Sequence, residues 1–269
     1  MNDSRIAARG IVLLGCGKMG SAMLRGWLAQ GLPDASVWVV DPVPSDWVLS
    51  TCVHINADLP DDPAVVLIAV KPQMMTHALP GIADLGVDDT VFVSIAAGTP
   101  IAAFEATLGA RAIVRAMPNT PAAIGQGITA MCANGKGQAF LGEAEALLSA
   151  IGAVVRVDDE GQMDAVTGVS GSGPAYVFHL IETLAAAGVA QGLPEALALQ
   201  LAKATVAGAG ALAQQSEETP GQLRVNVTSP NGTTQAALDV LMNEARGFPA
   251  LLNEAVAAAT ERSRELARG

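Results

Sequence analysis

The chain has 269 residues, enough for one large or two medium domains with proper cores. Apolar residues make up 51% of it and aromatics only 3%, so the interior is built from Ala, Val and Leu; this suits close-packed helices and buried parallel strands and argues against an aromatic-rich β-sandwich. A net charge of −11 with no basic cluster argues against nucleic acid as a partner.

Taken in chain order, the polar stretch Met1–Arg9 carries no hydrophobic region of a secretory signal. Short, apolar, β-branched runs at Ile11–Leu14, Val37–Val40, Val65–Val70, Val91–Ile95, Ala112–Arg115 and Ile128–Cys132 predict strands covered on both faces. Helical stretches at Ser21–Gln30, Met74–Gly81, Pro100–Leu108 and Gly137–Ile151 fall between them. The alternation predicts an α/β Rossmann domain with a doubly wound, mainly parallel sheet. One more strand is expected at Val154–Val157. Beyond it only helical periodicity remains, over residues 163–214 and again from Gly232 onward, with Pro194 suited to the first turn of a helix over Glu195–Gln214. Breaks fall at Thr219–Gly221 and Ser229–Gly232.

The expected organisation is a Rossmann domain over residues 1–160 followed by an all-α domain over residues 161–269. Ala185–Gly210 is too apolar for a helix with one wet face, and so small a domain has little interior. Burial by a second copy of the chain is therefore expected, as a homodimer. No apolar run is expected to reach the length of a membrane span.

Gly15-Cys16-Gly17-Lys18-Met19-Gly20 follows the first strand and opens the first long helix. In that strand–turn–helix setting the pattern is a dinucleotide fingerprint: Gly15 makes the tight turn, Gly17 admits the pyrophosphate, and Gly20 lets helix and strand pack closely. Asp41 ends the second strand, placed to accept from the adenosine ribose and to repel a 2′-phosphate. This favours NADH over NADPH, unless the residue only caps the turn before Pro42. Lys71, in Ala69-Val70-Lys71-Pro72-Gln73, lies just past the third predicted strand, where strand ends face the ligand crevice, although a solvated lysine has the same signature. The small run Ser94–Gly98 leaves room for a flat ring against the backbone.

A second set of segments offers polar groups without a strong base. Arg115–Pro121 reads as a rigid loop, and Gly168–Tyr176 as a glycine- and hydroxyl-rich helix start that forms an anion-receptive nest. Asn226–Thr234 places Ser229, Gly232, Thr233 and Thr234 directly before a helix, with a plain N-cap as the competing reading. His179 reads as a packed core residue, and Lys203 lies inside an apolar run. Hydroxyacid dehydrogenases need a positioned Lys or His, whereas a cyclic imine nitrogen takes up its own proton, so this set suits imine reduction. Cys16, Cys52 and Cys132 are odd in number and lack CxxC spacing, so neither disulfides nor a metal site is expected, and the chain reads as a protein of the reducing cytoplasm.

Together, Gly15–Gly20, Ala69–Gln73, Ser94–Gly98, Arg115–Pro121, Thr167–Tyr176, Pro220–Leu223 and Ser229–Thr234 resemble the pyrroline-5-carboxylate reductase family from about Gly10 to Leu266. The resemblance implies a Rossmann domain and a helical dimerisation domain, dimers that often assemble further into decamers, and reduction of 1-pyrroline-5-carboxylate to L-proline with NADH or NADPH. By similarity, Gly15 to Gly20, Asn56, Ala69, Val70, Lys71, Pro72, Ile95, Ala96 and Ala97 would line the cofactor, with Asn226 approaching it. Ser229, Gly232 and Thr233 would hold the substrate carboxylate and Thr234 the ring nitrogen, making Thr234 the catalytic candidate. Glu160 and Glu217 match positions near the substrate. Two departures are visible: Asn231 where many members have glycine, and Asp41 where NADPH-preferring members have small or basic residues.

Overall fold

A computed structural model describes residues 5–86 and 89–268; the first four residues of the polar N-terminal stretch lie outside them. Among these residues the elements run α1 (Arg5–Arg9), β1 (Ile11–Leu14), α2 (Lys18–Ala29), β2 (Val37–Val40), α3 (Asp46–Leu49), β3 (His54–Ile55), β4 (Val65–Ile68), α4 (Met75–Ala78), β5 (Val91–Ser94), α5 (Ile101–Leu108), β6 (Ala112–Met117), β7 (Gly127–Ala133), α6 (Leu141–Leu148), β8 (Gly152–Arg156) and α7 (Met163–Val166). The helical remainder comprises α8 (Gly173–Ala190), α9 (Glu195–Gln215), α10 (Pro220–Asn226), α11 (Thr233–Leu241) and α12 (Phe248–Arg268). Two compact units result: residues up to Gly171 together with those from Ala259 onward, and Ser172–Ala258. Compactness thus divides the chain some ten residues beyond the expected 160/161 boundary, and the last turns of α12 return to the first unit.

In the first unit, eight strands form one sheet in the order β3-β2-β1-β4-β5-β6-β7-β8. Neighbours are parallel except β6 and β7, where Val114 faces Ala133 and Met117 faces Ala130. The order reverses at β1, which lies between β2 and β4. Ligands of open α/β sheets bind at such a switch point, beyond the carboxyl ends of the strands. β1, β4 and β5 are buried along their whole length, because helices cover both faces. On one face Leu13, Leu24, Trp27, Leu67 and Leu147 pack together, and on the other Val12, Ile68, Phe92, Phe104 and Ile113. The fully buried Trp27 satisfies its indole N–H on the Leu147 carbonyl at 2.9 Å.

Several expected helices are shorter than their patterns suggest. Met74–Gly81 resolves into α4 between two 3-10 turns, Pro72–Met74 and Leu79–Ile82, because Pro72 and Pro80 start new turns. Gly137–Ile151 is α-helical only over Leu141–Leu148. The expected α/β alternation overlooked β3, a two-residue edge strand paired to Trp38 and Val39.

In the second unit, α8 and α9 form a hairpin. The apolar stretch Ala185–Gly210 is not one helix: it breaks at Gly192, whose φ of +96° is left-handed, and resumes after Pro194, which stands as the N-cap of α9 rather than in its first turn. Gly188 lets the two helices approach, since a Cβ there would lie 3.3 Å from both Ala198 and Leu193. Only Ala198 and Ala202 of α9 are buried, while Phe178 and Leu212 stand 60% and 56% exposed. The expectation that no run reaches membrane-span length fails for α9, whose 21 residues are long and apolar enough by length and composition. Its apolarity comes from alanines and glycines spread among the leucines, so no single block of large aliphatics marks it.

Candidate active site

The crevice beyond β1 and β4 is shaped by its glycines. Gly15 has φ +89°, and a Cβ there would lie 2.8 Å from Val70; a Cβ on Gly20 would lie 2.5 Å from the Gly15 carbonyl oxygen. Both positions are closed by protein. Gly17 is different: nothing lies within 4 Å of where its Cβ would be. Gly17 is also the N-cap of α2 and makes no side-chain cap, so the first-turn N–H groups are free to meet an anion. Space left open at Gly17, above an uncapped helix start, fits a dinucleotide pyrophosphate.

Asp41 sits at the end of β2 and pins this loop. Its Oδ2 accepts the Cys16 N–H at 2.6 Å and its Oδ1 accepts the Val43 N–H at 2.8 Å. It therefore caps the turn after β2, as the competing sequence reading had it, and each oxygen keeps a further lone pair for a ribose hydroxyl. Asn56, left-handed at φ 49°, accepts the Asp41 N–H at 3.0 Å and donates to the Asp41 carbonyl at 2.8 Å, so it holds the residue that holds the loop. The Cys16 thiol is buried, and desolvation raises its pKa. Lys18 and Lys71 are exposed, and neither has an ion-pair partner among the described residues.

Further along the crevice, Ser94 accepts the Ala96 N–H at 3.2 Å, fixing the turn into Ile95–Ala97. Arg115, 5% exposed on β6, makes an ion pair of 2.8 Å with Glu160. The same Glu160 Oε1 accepts the Ile101 N–H at 2.8 Å. This arrangement was not legible beforehand; the only signal was a charged residue, Arg115, inside an apolar strand pattern. Asn119 accepts the Ile128 N–H at 2.9 Å and closes the loop after β6.

Gly168–Tyr176 is not the open nest the sequence suggests. Thr167–Gly171 forms a π-helical turn in which Thr167 donates to the Met163 carbonyl at 2.9 Å and Ser170 to that of Val166 at 3.1 Å. The two hydroxyls face back into the helix, and α8 begins at Gly173 with Pro174 in its first turn. His179 is also not a core residue: its side chain is 76% exposed and pairs with Glu182 at 3.1 Å.

In the second unit, the Gly232 N–H closes a turn onto the Ser229 carbonyl at 3.0 Å, with Pro230 second and Asn231 third at φ 58°. Asparagine tolerates this left-handed position, so its departure from glycine keeps the turn. Gly232 is the N-cap of α11 and makes no side-chain cap, so neither Ser229 nor Thr233 caps the helix. The hydroxyls of Ser229, Thr233 and Thr234 have no hydrogen-bond partner among the described residues. Asn226 donates to Glu218 at 3.0 Å and accepts from Gln222 at 2.8 Å. Glu217 is exposed in the loop before α10.

A mainly parallel sheet with an open glycine turn at its switch point defines a dinucleotide-binding domain of the Rossmann class. Residues 160–266 match the family model described as pyrroline-5-carboxylate reductase dimerisation, and residues 10–98 match one described as NADP oxidoreductase, coenzyme F420-dependent. The pyrroline-5-carboxylate reductase of Pseudomonas aeruginosa is 42% identical over 266 residues, 96% of each chain. A solved pyrroline-5-carboxylate reductase from Coxiella burnetii superposes with a TM-score of 0.88 at 33% identity, covering 96% of this chain and 98% of that one. One from Plasmodium falciparum with NADP bound does so at 0.81 and 28% identity, covering 96% and 98%. The chain belongs to the pyrroline-5-carboxylate reductase family.

Proposed function

We propose that the chain reduces the ring imine of 1-pyrroline-5-carboxylate to L-proline with a reduced nicotinamide cofactor, the last step of proline biosynthesis. Three hydroxyls left without partners at the uncapped start of α11 carry this reading, in a family of that activity. The Thr233 N–H and the Ser229 hydroxyl, set at the Gly232 N-cap of α11, hold the substrate carboxylate, where the helix dipole favours negative charge. The Thr234 hydroxyl accepts from the protonated ring nitrogen and fixes which face of the imine is presented. Glu217 stands by as a further substrate-side group. No strong base is needed, because the imine nitrogen takes up a proton from water before reduction.

The cofactor is held by Gly15–Gly20, with Asp41, Asn56, Ala69–Pro72 and Ile95–Ala97 around it. When bound, the reduced nicotinamide supplies the hydride to the imine carbon. The carboxylate of Asp41 favours NADH over NADPH. The exposed apolar side chains of α8 and α9 support a homodimer built through residues 161–269; a decamer as its further assembly and a cytoplasmic location belong to the same proposal.

The test follows oxidation of NADH, and separately NADPH, with pyrroline-5-carboxylate and with a 2-keto acid. Turnover of the imine alone supports the reading; turnover of the keto acid alone replaces it with a hydroxyacid dehydrogenase. Light scattering on the same sample checks the dimer, which a clean monomer refutes.

A further inference from the structure

The segment Ile95–Pro100 joins β5 to α5 along the crevice and is held at three points by groups of the first unit. At its start the Ser94 hydroxyl takes the Ala96 N–H. In its middle, Gly98 is buried at φ +70°, and a Cβ there would lie 3.2 Å from Cβ of Leu266 on the returning end of α12. At its end, Ile101 is the first residue of α5, and Pro100 before it offers no side-chain cap. A helix start without a cap leaves an N–H in need of an acceptor, and a carboxylate there also answers the helix dipole. Glu160 supplies it from the far side of β7 and β8 in the sequence.

The same carboxylate oxygen neutralises Arg115, which is 5% exposed and has Glu160 as its ion-pair partner. A buried guanidinium fixes its counter-ion in place, because losing the pair would strand a charge in the interior. Arg115 thus anchors Glu160, and Glu160 anchors the end of the segment. Both contacts of this oxygen are made inside the first unit, so Oε1 of Glu160 is committed to the protein itself.

We infer that Glu160, anchored by Arg115, is a positioning residue that holds Ile95–Gly98 as the floor against which the nicotinamide ring is set, and is not a substrate contact. The inference rests on the function proposed above. It assigns to this ion pair the placement of the reacting ring, whereas affinity for the adenosine and pyrophosphate parts resides at Gly15–Gly20 and Asp41.

The experiment compares wild type with Glu160→Gln, which keeps the shape and removes the charge. Gly98→Ala serves as a second variant that disturbs the floor from the α12 side. In the cofactor-free protein, amide hydrogen exchange is followed over residues 95–102. Thermal melting, cofactor Kd, kcat and KM are then measured. The expected result is exchange faster by about tenfold in that segment, with kcat lower by roughly ten- to a hundredfold, while both KM values and the cofactor Kd stay within about threefold. Gly98→Ala gives the same signature if Glu160→Gln does not fold. Unchanged exchange and kcat overturn the inference, as does a raised KM for pyrroline-5-carboxylate at constant kcat, which would make Glu160 a substrate contact. A lower melting temperature with wild-type kcat also overturns it. A wild-type enzyme inactive on pyrroline-5-carboxylate sinks the functional reading itself, whatever the exchange data say.

Discussion

The carboxylate of Asp41 reaches back to the N–H of Cys16 at 2.6 Å, tying the end of β2 to the glycine turn after β1. One side chain therefore shapes the turn and, in the function proposed above, also reads the adenosine ribose. Its two duties separate in a mutant. Asp41→Ser removes the charge that repels a 2′-phosphate, so the ratio of kcat/KM for NADPH over NADH should rise about tenfold or more. It also unpins Cys16, so the Kd for both cofactors should rise. A ratio unchanged from wild type would leave Asp41 as a turn residue alone.

Gly17 and Gly20 should respond in opposite ways to alanine. At Gly17 the φ is −67° and the Cβ position is open, so Gly17→Ala should melt within a degree or two of wild type yet bind NADH about tenfold or more weakly, as the methyl occupies the pyrophosphate space. At Gly20 a Cβ would lie 2.5 Å from the Gly15 carbonyl oxygen, so Gly20→Ala should lose stability first. Equal melting curves for the two variants would contradict this assignment of roles.

Thr234→Ala deletes a hydroxyl that nothing in the described chain uses. Stability should stay put while kcat/KM for pyrroline-5-carboxylate falls by one to two orders of magnitude, the loss of one hydrogen bond of about 1–3 kcal/mol to the bound ring. Unaltered kinetics would remove Thr234 from the mechanism.

Cys132, opposite Arg115 across β6 and β7, has its thiol pushed from 9.0 to about 11, chiefly by burial and then by the nearby Glu160. The folded protein keeps this proton after the unfolded chain has released it. Stability should therefore be insensitive to this group below pH 9, and fall between about pH 9 and 11 by roughly 2–3 kcal/mol. Denaturant melts of wild type and Cys132→Ala across that range check the sign: the gap between them should narrow as pH rises, and a constant gap would disprove it.

The fold was readable because β1, β4 and β5 are continuous apolar runs and Gly15–Gly20 marks the tight turn from β1 into α2. Boundaries were less readable where prolines restart turns, as at Pro72 and Pro80, and where a strand is as short as His54–Ile55. The site was only half legible. Hydroxyl spacing points to Ser229–Thr234 as a candidate, but the loss of Ser170 and Thr167 to backbone carbonyls depends on a π-helical turn that no periodicity announces. His179 misled for a related reason: an apolar helix suggests a packed face, whereas in a single chain much of α8 is uncovered. The bond from Glu160 to Ile101 spans distant sequence, and spacing alone holds no trace of it.

The return of α12 carries a consequence for biosynthesis. Leu266, which lies against Gly98, and Ser263, which donates to Asp164 at 2.7 Å, are made only after the whole second unit has been translated. At about 5–20 residues per second, a nascent sheet would wait on the order of ten seconds for the last piece of its wall. During that interval Gly98 and Asp164 of the emerging α/β unit lack their α12 neighbours, and a ribosome stalled inside α9 would display the unit without them.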